Sequence, residues 1–324
     1  MIGRRDFSTL AVAGAAATAT GARAQGPWPE RPLRWVVGYA PGGASDIFAR
    51  MIARQMGPAL GQNIVVENRP SGGAIVATEN VVRSPADGYS LLHVDNGVLV
   101  YNPALYARLP FDPDRDLTSV GFIGRFPMLV VVRPESPFTD FPSMLAASKT
   151  RSITFGTPAV ASPHQLAMEV LKRRSGLDAT HIPYRGMPAA MNDMVAGQVD
   201  CVVVDVTNGL PFLSTNRARA LMVVGDSRAV ALPAVPTAVE LGYPGAVAYG
   251  WQGVSVAAGT PPAVVERLNA LLRAAIESPE VSKQMRDIGA ELVPRSAAEM
   301  AEFVRAENAA WRPLIRDLGI RLDA

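Results

Sequence analysis

"WVVGYAPGGASDIFARMIARQMG", residues 35–57, joins a short apolar run, a Pro-Gly-Gly turn and an amphipathic segment. Trp35 to Tyr39 reads as a buried strand that runs straight into a helix. Gly42 and Gly43 let the backbone turn tightly, and Ser45 or Asp46 can cap the helix that follows. Ile47, Met51 and Ile52 supply its inward stripe, with Arg50 and Arg54 outward. A turn of this kind aims unpaired amide N–H groups and a helix N-terminus at one point, which suits an anion. The spacing is not the six-residue dinucleotide fingerprint, and no Lys-Ser/Thr follows as in a phosphate loop.

The strand–turn–helix pattern recurs along the chain. "NIVVENR" and "SLLHVDN" read as strands around a helix in "GGAIVATENVVRS", followed by a Pro- and Asp-rich surface stretch, "LPFDPDRDLTSV", and the apolar run "MLVVVRPE". A second series, "SITFGTPAVASPHQLAMEVLKRRSG", "THIPYRGMPAAMNDMVAGQ" and "VDCVVVDV", repeats the design. "RALMVVGDSRA" and "VAYGWQGVSVAAG" return as strands, and two helices close the chain. The predicted fold class is therefore α/β, with two similar lobes hinged near residues 126–132 and 222–228. Open α/β sheets place ligands at the carboxyl ends of their strands. Those ends are "APGGASD", "VDNG", "GTPAVASPH", "YRGMP" and "VVDVTN", which would share one interlobe cleft.

Composition narrows the function. The 324 residues carry 48% hydrophobic and 19% charged side chains, as a globular protein does. Cys201 is the single cysteine, so no internal disulfide forms. His93, His164 and His181 are too far apart for a short metal motif, which leaves only ligands gathered across the fold. No metal or cofactor is expected. "MIGRRDFSTLAVAGAAATATGARAQ" has a charged start, an Ala-rich apolar stretch and an Ala22-Arg23-Ala24 cleavage signal. Arg4-Arg5 before Phe7 suits the twin-arginine export route; an ordinary secretory peptide with two chance arginines is the other reading. Either route delivers the mature chain outside the cytoplasm, with residues 1–24 removed. Its formal charge then falls from +2 to zero, because Arg4, Arg5, Arg23 and Asp6 leave with the signal. No basic face for nucleic acid remains, and no later stretch has the ~18 apolar residues that span a membrane.

Ten collinear segments, among them "PGGASD", "GQNIVVENRPSGG", "SPADGYSLL", "HIPYRGMPAAMNDMVAGQVD" and "LPAVPTAVELGYPG", make the chain resemble the substrate-binding receptors of tripartite tricarboxylate transporters, the Bug receptors. The resemblance covers essentially all of the mature chain. It implies a periplasmic-binding-protein ("Venus flytrap") fold, with lobe 1 formed by 25–127 plus 228–324 and lobe 2 by 128–227. It further implies capture of a small carboxylate, as a monomer, for delivery to membrane permease subunits. A receptor that signals to a membrane sensor would need the same cleft and is the alternative. In the family, cleft-loop amides and small hydroxyls hold the ligand carboxylate, partly through water. Here that assigns Gly42, Gly43, Ala44, Ser45 and Asp46 from one lobe, and Ala159, Val160, Ala161, Ser162 and His164 from the other. Tyr184 and Asp205 complete the candidate set.

The chain departs from the family pattern in three places. "GTPAVASPH" is shorter and poorer in glycine than usual. Val98 and Leu99 stand where polar residues are expected, predicting a drier wall. Asp205 stands where Asn is frequent; it either pairs a ligand ammonium or ring nitrogen, or is solvated or tied to Arg185 or a nearby N–H. No enzyme is predicted, because a nucleophilic serine needs a base oriented by a third group, a poor fit to the helix-starting Ser162-Pro163-His164, and no G-x-S-x-G elbow occurs.

Overall fold

The computed structural model describes residues 28–322; the expected export signal lies outside them. The opening stretch folds as strand β1 (Leu33–Val37) and helix α1 (Ala44–Leu60). Phe48, Ile52, Met56 and Leu60, each four residues apart, bury the inner face of α1, joined by Met51. Ile47 does not belong to that stripe: it lies about 100° round the helix from Phe48 and is half exposed. Gly61 ends the helix at φ 69°, a left-handed conformation that glycine adopts without steric cost.

The chain continues through β2 (Ile64–Asn68), α2 (Ile75–Val82) and β3 (Ser90–Asp95). β1 pairs in parallel with both β2 and β3 and so lies between them. A π-helical turn at Gly97–Tyr101 and two short helices, α3 (Asn102–Leu105) and α4 (Pro113–Asp116), lead into β4 (Leu117–Val132). After α5 (Phe141–Ala147), the second series gives β5 (Ile153–Thr157), α6 (Pro163–Ser175), β6 (Ala179–Pro183), α7 (Met187–Val195) and β7 (Cys201–Asp205). β5 again lies between its parallel partners, β6 and β7. Helix α8 (Val206–Ser214), β8 (Arg219–Val223), β9 (Tyr249–Ala257), α9 (Pro262–Glu277), α10 (Pro279–Asp287), β10 (Glu291–Arg295) and α11 (Ala297–Asp317) complete the fold.

β4 joins the two units. Leu117 to Pro127 run antiparallel to β9, whereas Met128 to Val131 pair with β7 and Leu129 to Val132 with β8. The sheet order is β2-β1-β3-β9-β4-β7-β5-β6, with β8 and β10 also on β4. Beyond the joint the side chains alternate. Met128, Val130 and Val132 enter a core shared with Phe155 and Trp251, while Leu129 and Val131 face one built with Met191 and Val204. Each such burial contributes about 1.5–3 kcal/mol, so Val130→Asp would disrupt the joint.

The stretch expected as surface loop, "LPFDPDRDLTSV", already belongs to β4 from Leu117. Register shifts between Ser119 and Gly121 and between Phe122 and Gly124 break the two-residue alternation a strand normally shows. A Cβ on Gly124 would sit 2.9 Å from the Glu291 carbonyl, so this glycine serves close strand approach rather than a turn. Residues 224–248, between β8 and β9, bond back to β4 and β8 and pack on α5. Val224 N–H donates to Met128 O, Ala238 N–H to Val223 O, and Tyr243 meets Phe141 edge-on.

Candidate functional site

A cavity of about 140 Å³ lies where the strand ends of both units meet. Ala44, Asp95 and Asn96 line it from the first unit, and Pro163, His164, Asp205, Thr207 and Asn208 from the second. Phe126, Met128, Gly250, Trp251 and Gln252 form its back wall at the joint. A groove of about 860 Å³ runs along α1 and β2, away from the strand C-termini.

Three helix N-termini reach the cavity, each with its own way of starting. α1 begins on Gly43, which makes no side-chain cap; Gly42, at φ 82°, turns the chain into it. Neither Ser45 nor Asp46 caps it. Asp46, already inside the first turn, accepts Gly42 N–H and Arg50 Nε–H, both at 2.9 Å. The Arg50 contact holds the Asp46 carboxyl down to about 2. Ser45 is buried, and its Oγ accepts Gln252 Nε2–H at 3.1 Å. α6 is capped by Ser162, whose Oγ accepts Gln165 N–H and donates to Ala159 O. α8 is capped by Asp205, whose Oδ1 accepts Asn208 N–H at 3.0 Å.

Asp205 carries the densest set of contacts. Its Oδ2 accepts Asn208 Nδ2–H at 2.7 Å and lies 3.1 Å from His164 Nε2. Burial alone would raise the Asp205 carboxyl, but hydrogen bonding to His164 and Asn208 holds it below the usual carboxylate range. Asp95, at the corresponding end of β3, is displaced the other way. Burial raises it against the Tyr39 hydroxyl and the Val98 N–H that donate to it. Two atoms on cavity residues, His164 Nδ1 and Thr207 Oγ1, are buried with no hydrogen-bond partner among the described residues.

Of the residues predicted from sequence, the structure brings Ala44, His164 and Asp205 onto the cavity wall. Ser45 joins it through Gln252. Gly42, Gly43, Ala159 and Val160 are exposed beside it. The Ala161 N–H is taken by Gln165 Oε1 at 2.6 Å and the Ser162 hydroxyl by its cap, so neither is free for a ligand. Tyr184 turns to Asp193 at 2.9 Å and does not line the cavity. Val98 and Leu99 do not form the drier wall expected of them, because as members of the π-helical turn both are buried in the core, and Asp95 and Asn96 face the space instead. Asp205 meets His164 and Asn208, not Arg185.

Sequence reading put the loop "VVDVTN" on the cleft but did not single out Thr207 and Asn208, which line the cavity, although "DVTN" after a strand is a helix-start signal. The loop "VDNG" was likewise placed there without naming Asn96, whose side chain accepts Trp251 N–H and donates to Tyr249 O, tying β3 to β9. Gln252 bridges Ser45 and the buried His93. Among the described residues no cluster of three His, Cys, Asp or Glu could hold a metal ion, and no helix is long and apolar enough to cross a membrane.

Two α/β units joined by crossing strands, with a cavity between their strand ends, define the two-lobed periplasmic-binding-protein class. Residues 48–320 match the model of the family described as "Tripartite tricarboxylate transporter family receptor", and the chain belongs to that family of solute-binding receptors. It is 31% identical to Protein BugT of Bordetella pertussis over 298 residues, 91% of either chain. A Rhodopseudomonas palustris protein solved with adipate superposes at TM-score 0.81 with 31% identity, over 91% of this chain and 100% of that one. MatC from Rhodopseudomonas palustris with bound malate superposes at 0.76 with 30% identity, over 89% and 99%.

Proposed function

We propose that this protein captures a small carboxylate in the periplasm, reached by the twin-arginine route, and delivers it to the permease subunits of a tripartite tricarboxylate-type transporter. The observation that carries the reading is the convergence of three helix N-termini, from both units, on a cavity whose lining, among the described residues, holds no lysine or arginine. Each N-terminus carries roughly half a positive charge, and the N–H groups of α1 have no side-chain cap to satisfy them. Carboxylates bound to two relatives, adipate and malate, agree with this.

The lobes divide at 127/128 and again at 248/249 in this proposal. The second boundary moves from the expected 227/228 because residues 224–248 bond to β4 and β8 and pack on α5. A ligand held from both sides favours the closed arrangement and shifts the population toward it. Ala44 and His164 are the proposed ligand contacts, with Thr207 and Asn208 beside them. Asp205 acts through His164. At about 140 Å³ the space is below the ~300–1,000 Å³ of drug-sized pockets, which favours a compact diacid such as malate over the longer adipate.

Thermal denaturation of the mature chain with malate, adipate, succinate, aspartate, nicotinate and benzoate tests the reading. Saturation at a hundredfold over Kd adds about 2.7 kcal/mol, seen as a Tm rise with at least one compact acid. A panel in which no acid moves Tm would overturn it.

A further inference from the structure

The cavity has an unusual charge balance for an acid's receptor. Its ionisable lining residues are Asp95, His164 and Asp205. An anionic guest therefore enters beside two carboxyl groups, with helix dipoles and one imidazole to receive it. Among the described residues, no lysine or arginine lines the cavity. Across the cavity stand Asp95 and its partner Tyr39; behind Trp251 stands Glu307, which accepts Trp251 Nε1–H at 3.1 Å. On β9, Tyr249 is engaged by Asp226 and Ser227 and has Arg125 stacked over its ring, and that arginine is paired with Glu291. On α6 itself, Lys172 is paired with Glu169.

Hydrogen-bond accounting fixes the protons on His164. Asp205, ionised, only accepts, so the 3.1 Å contact requires a hydrogen on His164 Nε2. In the neutral ring, Nδ1 is then a bare acceptor, and it is buried without a partner. A ligand carboxylate cannot bond to a bare acceptor. A second ring proton removes the conflict, turning Nδ1 into a donor and the ring into a cation braced by Asp205. The helix does not need that charge on Asp205: an N-cap requires only a side-chain oxygen, and Asn caps as well as Asp.

Resting on the carboxylate reading above, we propose that the protein takes up one proton with its acid. His164 binds that proton from solvent at Nδ1 as the ligand carboxylate arrives, and Asp205 is the positioning residue that holds the ring and its charge. The protein would thus load its cargo more tightly as the surroundings acidify.

Calorimetric titration of the mature chain with malate and with adipate tests this between about pH 6 and about pH 8.5, the range that brackets an ordinary histidine. Repeating it in buffers of different ionisation heat counts the protons taken up. The expected result is a Kd that weakens toward about tenfold per pH unit on the alkaline side, with close to one proton bound. His164→Gln should weaken binding at the acid end and flatten the profile. Asp205→Asn, which keeps the cap, should move the profile to lower pH. A flat wild-type Kd overturns the proton linkage while leaving acid capture intact. An unchanged slope in His164→Gln, or an unmoved profile in Asp205→Asn, overturns the roles given to these residues. Failure of both acids to bind at every pH overturns the linkage, and the proposed function itself falls only if the wider acid panel fails as well.

Discussion

The β1–β3 and β5–β7 units share one connectivity and one strand order, yet they finish their cavity-facing ends with different chemistry. In the first, α1 starts on a bare glycine, and the acid that ends β3 is drawn inward to Tyr39 and Val98. In the second, Ser162 and Asp205 cap their helices, and the acid that ends β7 turns to a histidine. One unit offers backbone, the other a titratable pair. The scaffold decides where helix starts point; the residue at each N-cap decides whether their N–H groups stay available.

The largest expected effect falls on what the units share. Trp251 is fully buried against Phe122 and Phe303 at the joint, so Trp251→Ala should cost about 3–5 kcal/mol in urea unfolding. Unchanged stability would mean that the units do not lean on this wall.

The second effect falls on the histidine behind the cavity wall. His93, in β3, is fully buried against Gln252, and burial depresses its ring to about 4. Between the ordinary 6.5 and about 4 the unfolded chain binds a proton that the folded chain refuses. Stability is therefore complete above that window and falls through it on acidification, by about 3 kcal/mol for this group. His93→Gln, which keeps an N–H for Gln252, should flatten that limb in pH-dependent denaturation; an unaltered limb would assign the loss elsewhere.

The smallest effects compare the helix starts directly. Asp46 is held down to about 2, so its contribution is present above its ordinary 3.8 and disappears as pH falls toward about 2. Because Arg50 is half exposed, Asp46→Asn should cost about 1–2 kcal/mol at neutral pH after allowance for solvent screening. Ser162→Ala should cost about 1 kcal/mol. If the serine variant proves the more damaging in thermal unfolding, the contrast drawn between the two starts is inverted.

Both parallel units were legible because their signals are local: Gly42-Gly43 before α1, Ser162-Pro163 before α6, and apolar runs at each strand. The first half of β4 was not, since its bulges and its Gly121 and Gly124 imitate a loop while serving contacts with α9 and β10. The segment from Pro279 to Arg295 went unassigned for a related reason: "ELVPR" is short, half buried throughout and interrupted by proline. At the cavity, strand-end loops could be named from sequence. Gln252 could not, because it belongs to a strand interior and reaches the space only after β9 docks between β3 and β4. The contact of His164 with Asp205 joins residues 41 positions apart, which no single-segment pattern records.

β4 serves as one continuous ruler for two cores. Its pairing passes from β9 to β7 and β8 between Pro127 and Met128 without a loop to absorb an error in count. Successive side chains of a strand face opposite ways, so deleting one residue there would present Leu129 and Val131 to the wrong layer. Evolution can lengthen the surface turns of this molecule freely, but its centre can change only by substitution. Laboratory insertion of a reporter domain should spare β4 for the same reason.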